Sequence, residues 1–476
     1  MTFFNSEDQE EFSTPNEATM QKFDLFFYNG KHHYYESDDW EDIFYKISYD
    51  CEVDQIKKID FIIDEANKQH PNNLFFLLKK AAKEAFSKNF VLSNQLFAQA
   101  KIINPNDSDI FVVESEIFSH FGKYEKALAA LKIAYNNGGE PESIFFQMAS
   151  CYQCLNKTRA AMLLYKNIAL LNPYNDFAID HLAEILFEEE WFDEAVKIFK
   201  KLTDLNPYSE DIWYNLGNAH LGLEEYKEAI WAQEMVLAIN DESTFGKIGL
   251  ANAYQEKGEI EFAVTLYEDL LANNFADAEI YFSLGYCYEK LKKYEQSRIY
   301  YRNSLAENSD NAQAWYGIGA TLMAESSYNM ALHFLKKAHF ISGNEESIFG
   351  LSLAATYLAL NKSEKAVEIY EQLKLFYFDE YEVWLDYSTC LSTQSKNEKA
   401  LEILESALSY LPNNHQIKYR IAAILIKLER TTEGIVYLED ALQKNFMDHN
   451  LMFIFEPKCK KDKNIKKIIN QYKKIV

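Results

Sequence analysis

Glycine and proline are scarce in this chain, 15 and 8 among 476 residues. So few breakers argue for helices joined by short connections. Cysteine is also thin. Six thiols, at 51, 151, 154, 287, 390 and 459, are spread over a long chain, which suits reduced cysteines in a cytosol rather than a disulfide frame. Positive charge is in deficit, with Lys and Arg numbering 48 against 73 Asp and Glu, for a net charge of −25. That balance opposes sequence-independent binding of nucleic acid, and favours cationic or neutral partners. No run of 18 apolar residues exists, so no integral membrane insertion is expected. The start, MTFFNSEDQEEF, lacks the basic-then-apolar order of a signal peptide. A cytoplasmic setting is expected.

What is present is apolar content of 48 % and aromatic content of 15 %, enough for a large core in two or three domains or one long array. The order is periodic. LNPY stands at 171–174 and again at 205–208, 34 residues on, and INP ends at Pro105, twice 34 before Pro173. Twelve residues before each such proline slot lies a small residue: Ser93, Ala127, Ala161, Ala195, Ala229, Ala263, Ser297, Ala331, Ala366, Ala400, Gly434. One inserted residue, expected near Gly343–Glu346, accounts for the single step of 35. A second small column runs 12 residues earlier, from Ala81 through Gly217, Gly285 and Gly319 to Ala422. Two small columns 12 apart mark where two antiparallel helices joined by a tight turn approach closely. Large residues at spacings of three, four and seven give each helix an apolar face. Proline ends one pair and launches the next, because it cannot continue a helix.

This pattern resembles the tetratricopeptide repeat, a 34-residue helix–turn–helix. The best copy is Trp213, Leu216, Gly217, His220, Ala229 and Val236, and Trp315–Ile318–Gly319 and Tyr281–Leu284–Gly285–Tyr288 are similar. The resemblance covers residues 74–448 as eleven repeats, with a degenerate twelfth over Trp40–Asn73. It departs at Gln233, where an aromatic residue is usual, and at proline slots holding Asp241, Phe275, Ser309 or Phe446. The stretch FDLFFYNG, with HHYY after it, looks like bacterial, Bacteroidota-type multi-repeat arrays. The implied fold is an all-α superhelix of about 12 helix-turn-helix units with a C-terminal capping helix. The expected division is a largely disordered acidic tail over 1–35, a solenoid over 36–448 and a Lys-rich capping helix over 449–476. That last segment carries eight lysines and one acid from Lys458 on, with Ile465, Ile468, Ile469, Tyr472 and Val476 on one face. The alternative for it is contact with an acidic membrane surface or partner.

No Walker loop, GxSxG or HExxH motif occurs. Neither an enzyme, a cofactor nor a metal site is expected. Cys151-x-x-Cys154 has no second CxxC, and Cys151, Cys287 and Cys390 share one repeat position, so packing is the reading. His32-His33 reads as polar linker, and His220, in an aromatic slot, as a satisfied core histidine. In the resembled family the first helices line a concave groove that binds peptides. Here those positions hold Asp180 and Glu184, Tyr214 and Asn218, Asn252, Phe282 and Tyr286, and Tyr316. Asparagine offers donor and acceptor to an extended backbone. The aromatics offer flat anchors, and Asp180, Glu184 and Glu116 make the lining acidic. The Lys-then-Asn pair that grips terminal carboxylates in some members is missing. The expectation is a non-enzymatic protein–protein interaction scaffold whose peptide partner carries apolar anchors and basic flanks. The alternative is a structural assembly factor acting by self-association or through the convex surface.

Overall fold

The computed structural model describes residue 15 and residues 17–49, 54–343 and 346–473. Among these the chain is an all-α solenoid of helix pairs, each helix of the eleven repeats being 13–15 residues long. The pairs run from Leu74–Phe86 with Phe90–Ile103 to His415–Lys427 with Thr431–Lys444. A further pair, Ser37–Tyr49 and Gln55–Gln69, precedes them with Trp40 and Ala66 fully buried. The chain divides into two compact bodies, residues 1–246 and 247–476. No helix among the described residues is long and apolar enough to cross a membrane.

The two small columns meet. Ser297 Oγ donates to the Gly285 carbonyl at 2.8 Å, and a Cβ placed on Gly434 would lie 3.1 Å from the Ala422 carbonyl oxygen. Ala127, Ala161, Ala195, Ala229, Ala263, Ala331, Ala366 and Ala400 are all fully buried. Side chains larger than a methyl would hold the paired helices apart.

LNPY punctuates the pairs. The helices Thr158–Leu171 and Phe192–Leu205 end at its leucine, and Asn172 and Asn206 follow as C-caps. Asn206 Nδ2 donates to the Pro173 carbonyl at 3.1 Å, lacing one inter-repeat turn to the one before. Asn175 and Ser209 then cap the next helices by accepting from Ala178 N and Ile212 N. Inside each pair the turn takes one residue with positive φ, at 88, 122, 156, 190, 224, 258, 292, 326, 361, 395 and 429. This series keeps the 34-residue step and shows the same single step of 35. Only Gly122 and Gly258 are glycine there; the others, such as Glu190 at φ 55 and Glu224 at φ 59, bear the left-handed strain. The inserted residue falls where the second helix Tyr328–Ser342 runs on to Gly343 at φ 59; residues 344 and 345 lie outside the described set.

Both ends differ from expectation. The acidic tail was expected largely disordered over 1–35; residues 1–14 and 16 lie outside the described residues. Glu17–Asn29, however, is a helix, because Phe23 and Phe26 find a core. Phe23 meets the Trp40 ring edge-on at 6.3 Å. At the other end the single cap over 449–476 is four short pieces: turns at Phe446–His449 and Pro457–Lys461, and helices Asn450–Phe455 and Lys463–Tyr472. Ile465 and Ile469 of the last helix are buried with Leu438 and Leu442 of the final repeat, which covers the open end of the array. Tyr419, on the first helix of the last repeat, is fully buried under this cap and donates its hydroxyl to the Asn445 carbonyl at 2.7 Å.

Candidate functional site

The first-helix face of each body carries part of the expected site. In the first body the helices Asp176–Glu188 and Glu210–Gly222 bring Asp180, Glu184, Tyr214 and Asn218 to it. Asp180 and Glu184 are exposed, and Tyr214 and Asn218 half-buried. The Asp180 carboxyl is pushed up, first by loss of hydration and then by Asp176, against the opposing pull of His181. Asp211 is pushed up in the same way, by burial and then by Asp176, Asp180 and Glu210. These carboxylates feel one another, so the face holds concentrated negative charge. Glu116, exposed on its own repeat, is also raised, chiefly by loss of hydration. Glu184 lies 3.3 Å from His181 Nδ1.

In the second body Asn252, Phe282, Tyr286 and Tyr316 come from the first helices Thr244–Lys257, Ala278–Lys290 and Ala312–Ala324. All four are half-buried. Their rings are partly engaged with neighbours: Phe282 with Tyr301 at 5.7 Å, Tyr316 with Phe349 at 5.0 Å, and Tyr286 beneath Lys290 Nζ at 4.8 Å. Tyr214 likewise meets Phe245, at 6.0 Å. Each ring thus packs on one side and leaves another open.

The two asparagines are held in the same manner, each by the second helix of its own repeat. Gln233 Nε2 donates to the Tyr214 carbonyl at 3.2 Å and to Asn218 Oδ1 at 3.4 Å. At the equivalent position the Tyr267 hydroxyl donates to Asn252 Oδ1. Each amide oxygen thus accepts one bond from its own repeat, which orients the amide and leaves the Nδ2 hydrogens to be offered outward. The sequence reading credited both donor and acceptor, and noticed Gln233 only as a departure from pattern. That departure was the available signal.

Cys151 and the three histidines contact neighbouring side chains. Cys151 is buried with Sγ 3.3 Å from Ser119 Oγ, and its thiol is raised by burial. His220 Nδ1 lies 2.7 Å from Glu225 Oε2. His32 packs on Phe26 and His33 on Tyr35, at 5.0 and 4.6 Å. Among the described residues no group of three His, Cys, Asp or Glu side chains is placed to hold a metal.

A tetratricopeptide-repeat family model matches residues 182–243 and 248–312, four of the helix pairs' worth of the 34-residue register. Those residues carry tetratricopeptide repeats. No curated protein matches it in sequence. Three solved structures are similar. A tetratricopeptide repeat protein from Parabacteroides merdae is 18 % identical over 52 % of this chain and 98 % of its own, with a TM-score of 0.42. A chain of the APC/C hetero-tetramer Cut9-Hcn1 is 12 % identical over 85 % of this chain and 99 % of its own, at 0.43. YrrB, a TPR protein with an unusual peptide-binding site, is 18 % identical over 40 % and 97 %, at 0.33. At such identities and scores nothing about function or source is carried over. The repeats themselves support a protein–protein interaction scaffold.

Proposed function

We propose that this repeat protein holds extended segments of another protein on the first-helix face of each body, through apolar or aromatic anchors and basic flanks. One observation carries the reading. Asn218 and Asn252 share a repeat position, and each has its oxygen fixed by its own second helix. Neither Nδ2 has a partner among the described residues. A fixed amide with free N–H groups suits the carbonyls of an extended backbone, whatever its side chains. Half-buried rings beside the asparagines can take anchors. Asp180 and Asp211, both raised by loss of hydration and then by the nearby Asp176, favour Lys or Arg, since a cation would offset that repulsion.

The test is selection of random twelve-residue peptides displayed on phage. Wild type is expected to enrich an aromatic or aliphatic anchor flanked by Lys or Arg. Asn218→Ala and Asn252→Ala should each lower affinity several-fold at the face of its own body, for one lost hydrogen bond. Asp180→Asn with Asp211→Asn should remove the basic preference alone. Enrichment of acidic peptides, or affinities untouched by the asparagine pair, would sink the reading.

A second reading, association through the outer edge, is favoured by Tyr174 and Tyr208. These equivalent LNPY tyrosines stand 72 % and 81 % exposed. Light scattering across a hundredfold concentration range tests it, and a monomer throughout would rule it out.

A further inference from the structure

A cavity of about 430 Å³ lies within the second body, between the first helices Tyr381–Thr393 and His415–Lys427 and the short cap helix Asn450–Phe455. That volume is in the range of sites for small organic ligands. Leu385, Ile454 and Phe455 supply apolar wall, and Ser392, Gln416 and Arg420 supply polar groups.

The guanidinium of Arg420 is the unusual member. Its Nη1 donates to Thr389 Oγ1 at 2.5 Å, and at 3.4 Å to Ser388 Oγ and the Leu385 carbonyl. Its carbon lies 3.4 Å from the centre of the Phe455 ring. Every one of these partners is neutral. Among the described residues no carboxylate is within ion-pair distance of Arg420; Asp386 acts on it only at longer range. Burial lowers the Arg420 pKa to about 10, which measures how little compensates the charge. A half-buried cation held by neutral groups alone is a costly arrangement unless an anion completes it.

Two further polar atoms in the wall point the same way. Ser392 is 8 % exposed, and its Oγ has no hydrogen-bond partner. Gln416 likewise leaves its buried Oε1 without a partner. Such atoms are rare in a folded chain and ask for an occupant. Lys427 adds a second cation at the rim. This concentration of unpaired positive charge stands out in a chain of net charge −25.

We propose that this cavity binds a small organic monocarboxylate with an apolar body and a hydrogen-bond donor near its acid group. The carboxylate sits on Arg420 and Ser392, the donor meets Gln416 Oε1, and the body lies against Leu385, Ile454 and Phe455. The site is separate from the peptide reading and does not depend on it.

The test is calorimetric titration of the full chain with decanoate, 3-hydroxydecanoate and decanamide. The acid is expected to bind at least about tenfold more tightly than the neutral amide, because a charged hydrogen bond is at stake. The hydroxy acid should bind several-fold more tightly again. Arg420→Gln should abolish the preference for acid over amide. Ser392→Ala, a milder change that leaves Arg420 and Phe455 stacked, should weaken the acid several-fold. Asn218→Ala with Asn252→Ala should leave all three probes unchanged, which separates this site from the groove. Equal binding of acid and amide, or no binding of any probe to wild type, overturns the proposal.

Discussion

Gly285→Ala is the sharpest test of how the repeats pack. The Tyr301 ring is fully buried between two glycines of successive first helices. A Cβ on Gly285 would lie 2.5 Å from Tyr301 Cδ1, and one on Gly317 would lie 2.4 Å from Cε2 and Cζ. The ring cannot yield to one without striking the other. Its hydroxyl is also fixed, donating to Glu289 Oε2 at 2.8 Å. Alanine would improve helix propensity by about 1 kcal/mol. Overpacking of a confined ring costs roughly 1–3 kcal/mol and here falls at the upper end. The net expectation is destabilisation of about 2 kcal/mol, or a midpoint lower by about 4–8 °C for a body of this size. Circular dichroism with guanidinium and heat measures it. Tyr301→Leu, the residue that stands opposite Gly319 as Leu335, should make room. In that background Gly285→Ala should become neutral or stabilising, giving a coupling of about 2 kcal/mol. A stabilising Gly285→Ala in the wild-type background refutes the clamp.

Glu190→Gly and Glu224→Gly relieve left-handed turn residues and should each stabilise by about 1 kcal/mol, read from chemical denaturation. Ile465→Asp puts a charge into the fully buried seam of the cap, and should lower the second body's midpoint by the equivalent of about 3 kcal/mol or more. The carboxyls of Asp180 and Asp211 are raised in the fold, so their penalty is full above the raised values and absent below the ordinary carboxylate range. Stability should therefore rise as pH falls from 7 through that window, and Asp180→Asn with Asp211→Asn should flatten the slope in a melting series. Burial holds Cys287 up at about 12 and Cys459 at about 11, so in the native state both should resist a thiol reagent that modifies exposed Cys154 quickly.

The helix pairs were legible because their cause is one-dimensional. Close approach demands small residues, and those recur at a fixed step wherever the pair recurs, as Ser297 against Gly285 shows. The strained turn residues were not legible, although they keep the same step. Left-handed φ is imposed there by the helices on either side, and Lys88, Glu190 or Ser326 bear it as glycine does at 122 and 258. The N-terminal helix was hidden by its acids, because Phe23 has meaning only once Trp40 is beside it. Arg420 was invisible for a related reason. A lone arginine on a first helix reads as a solvated charge until the cap helix brings Phe455 across it.

Gln233 shows where a break in the pattern carries information of its own. It stands in a column of large apolar residues, is almost fully buried, and keeps an Oε1 without a partner. By packing alone leucine would serve better there. It already stands opposite a glycine of the same column, as Leu335 does opposite Gly319, and Gly217 leaves the same room. Removing the unpaired oxygen should stabilise Gln233→Leu by up to about 1 kcal/mol. The same change releases Asn218, whose oxygen is engaged by Gln233 alone among the described residues. Peptide affinity should then fall several-fold while stability rises, with Gln233→Glu failing to restore binding because it cannot donate. If Gln233→Leu loses stability and keeps its affinity, the glutamine is a packing residue, and the orientation of Asn218 has no part in binding.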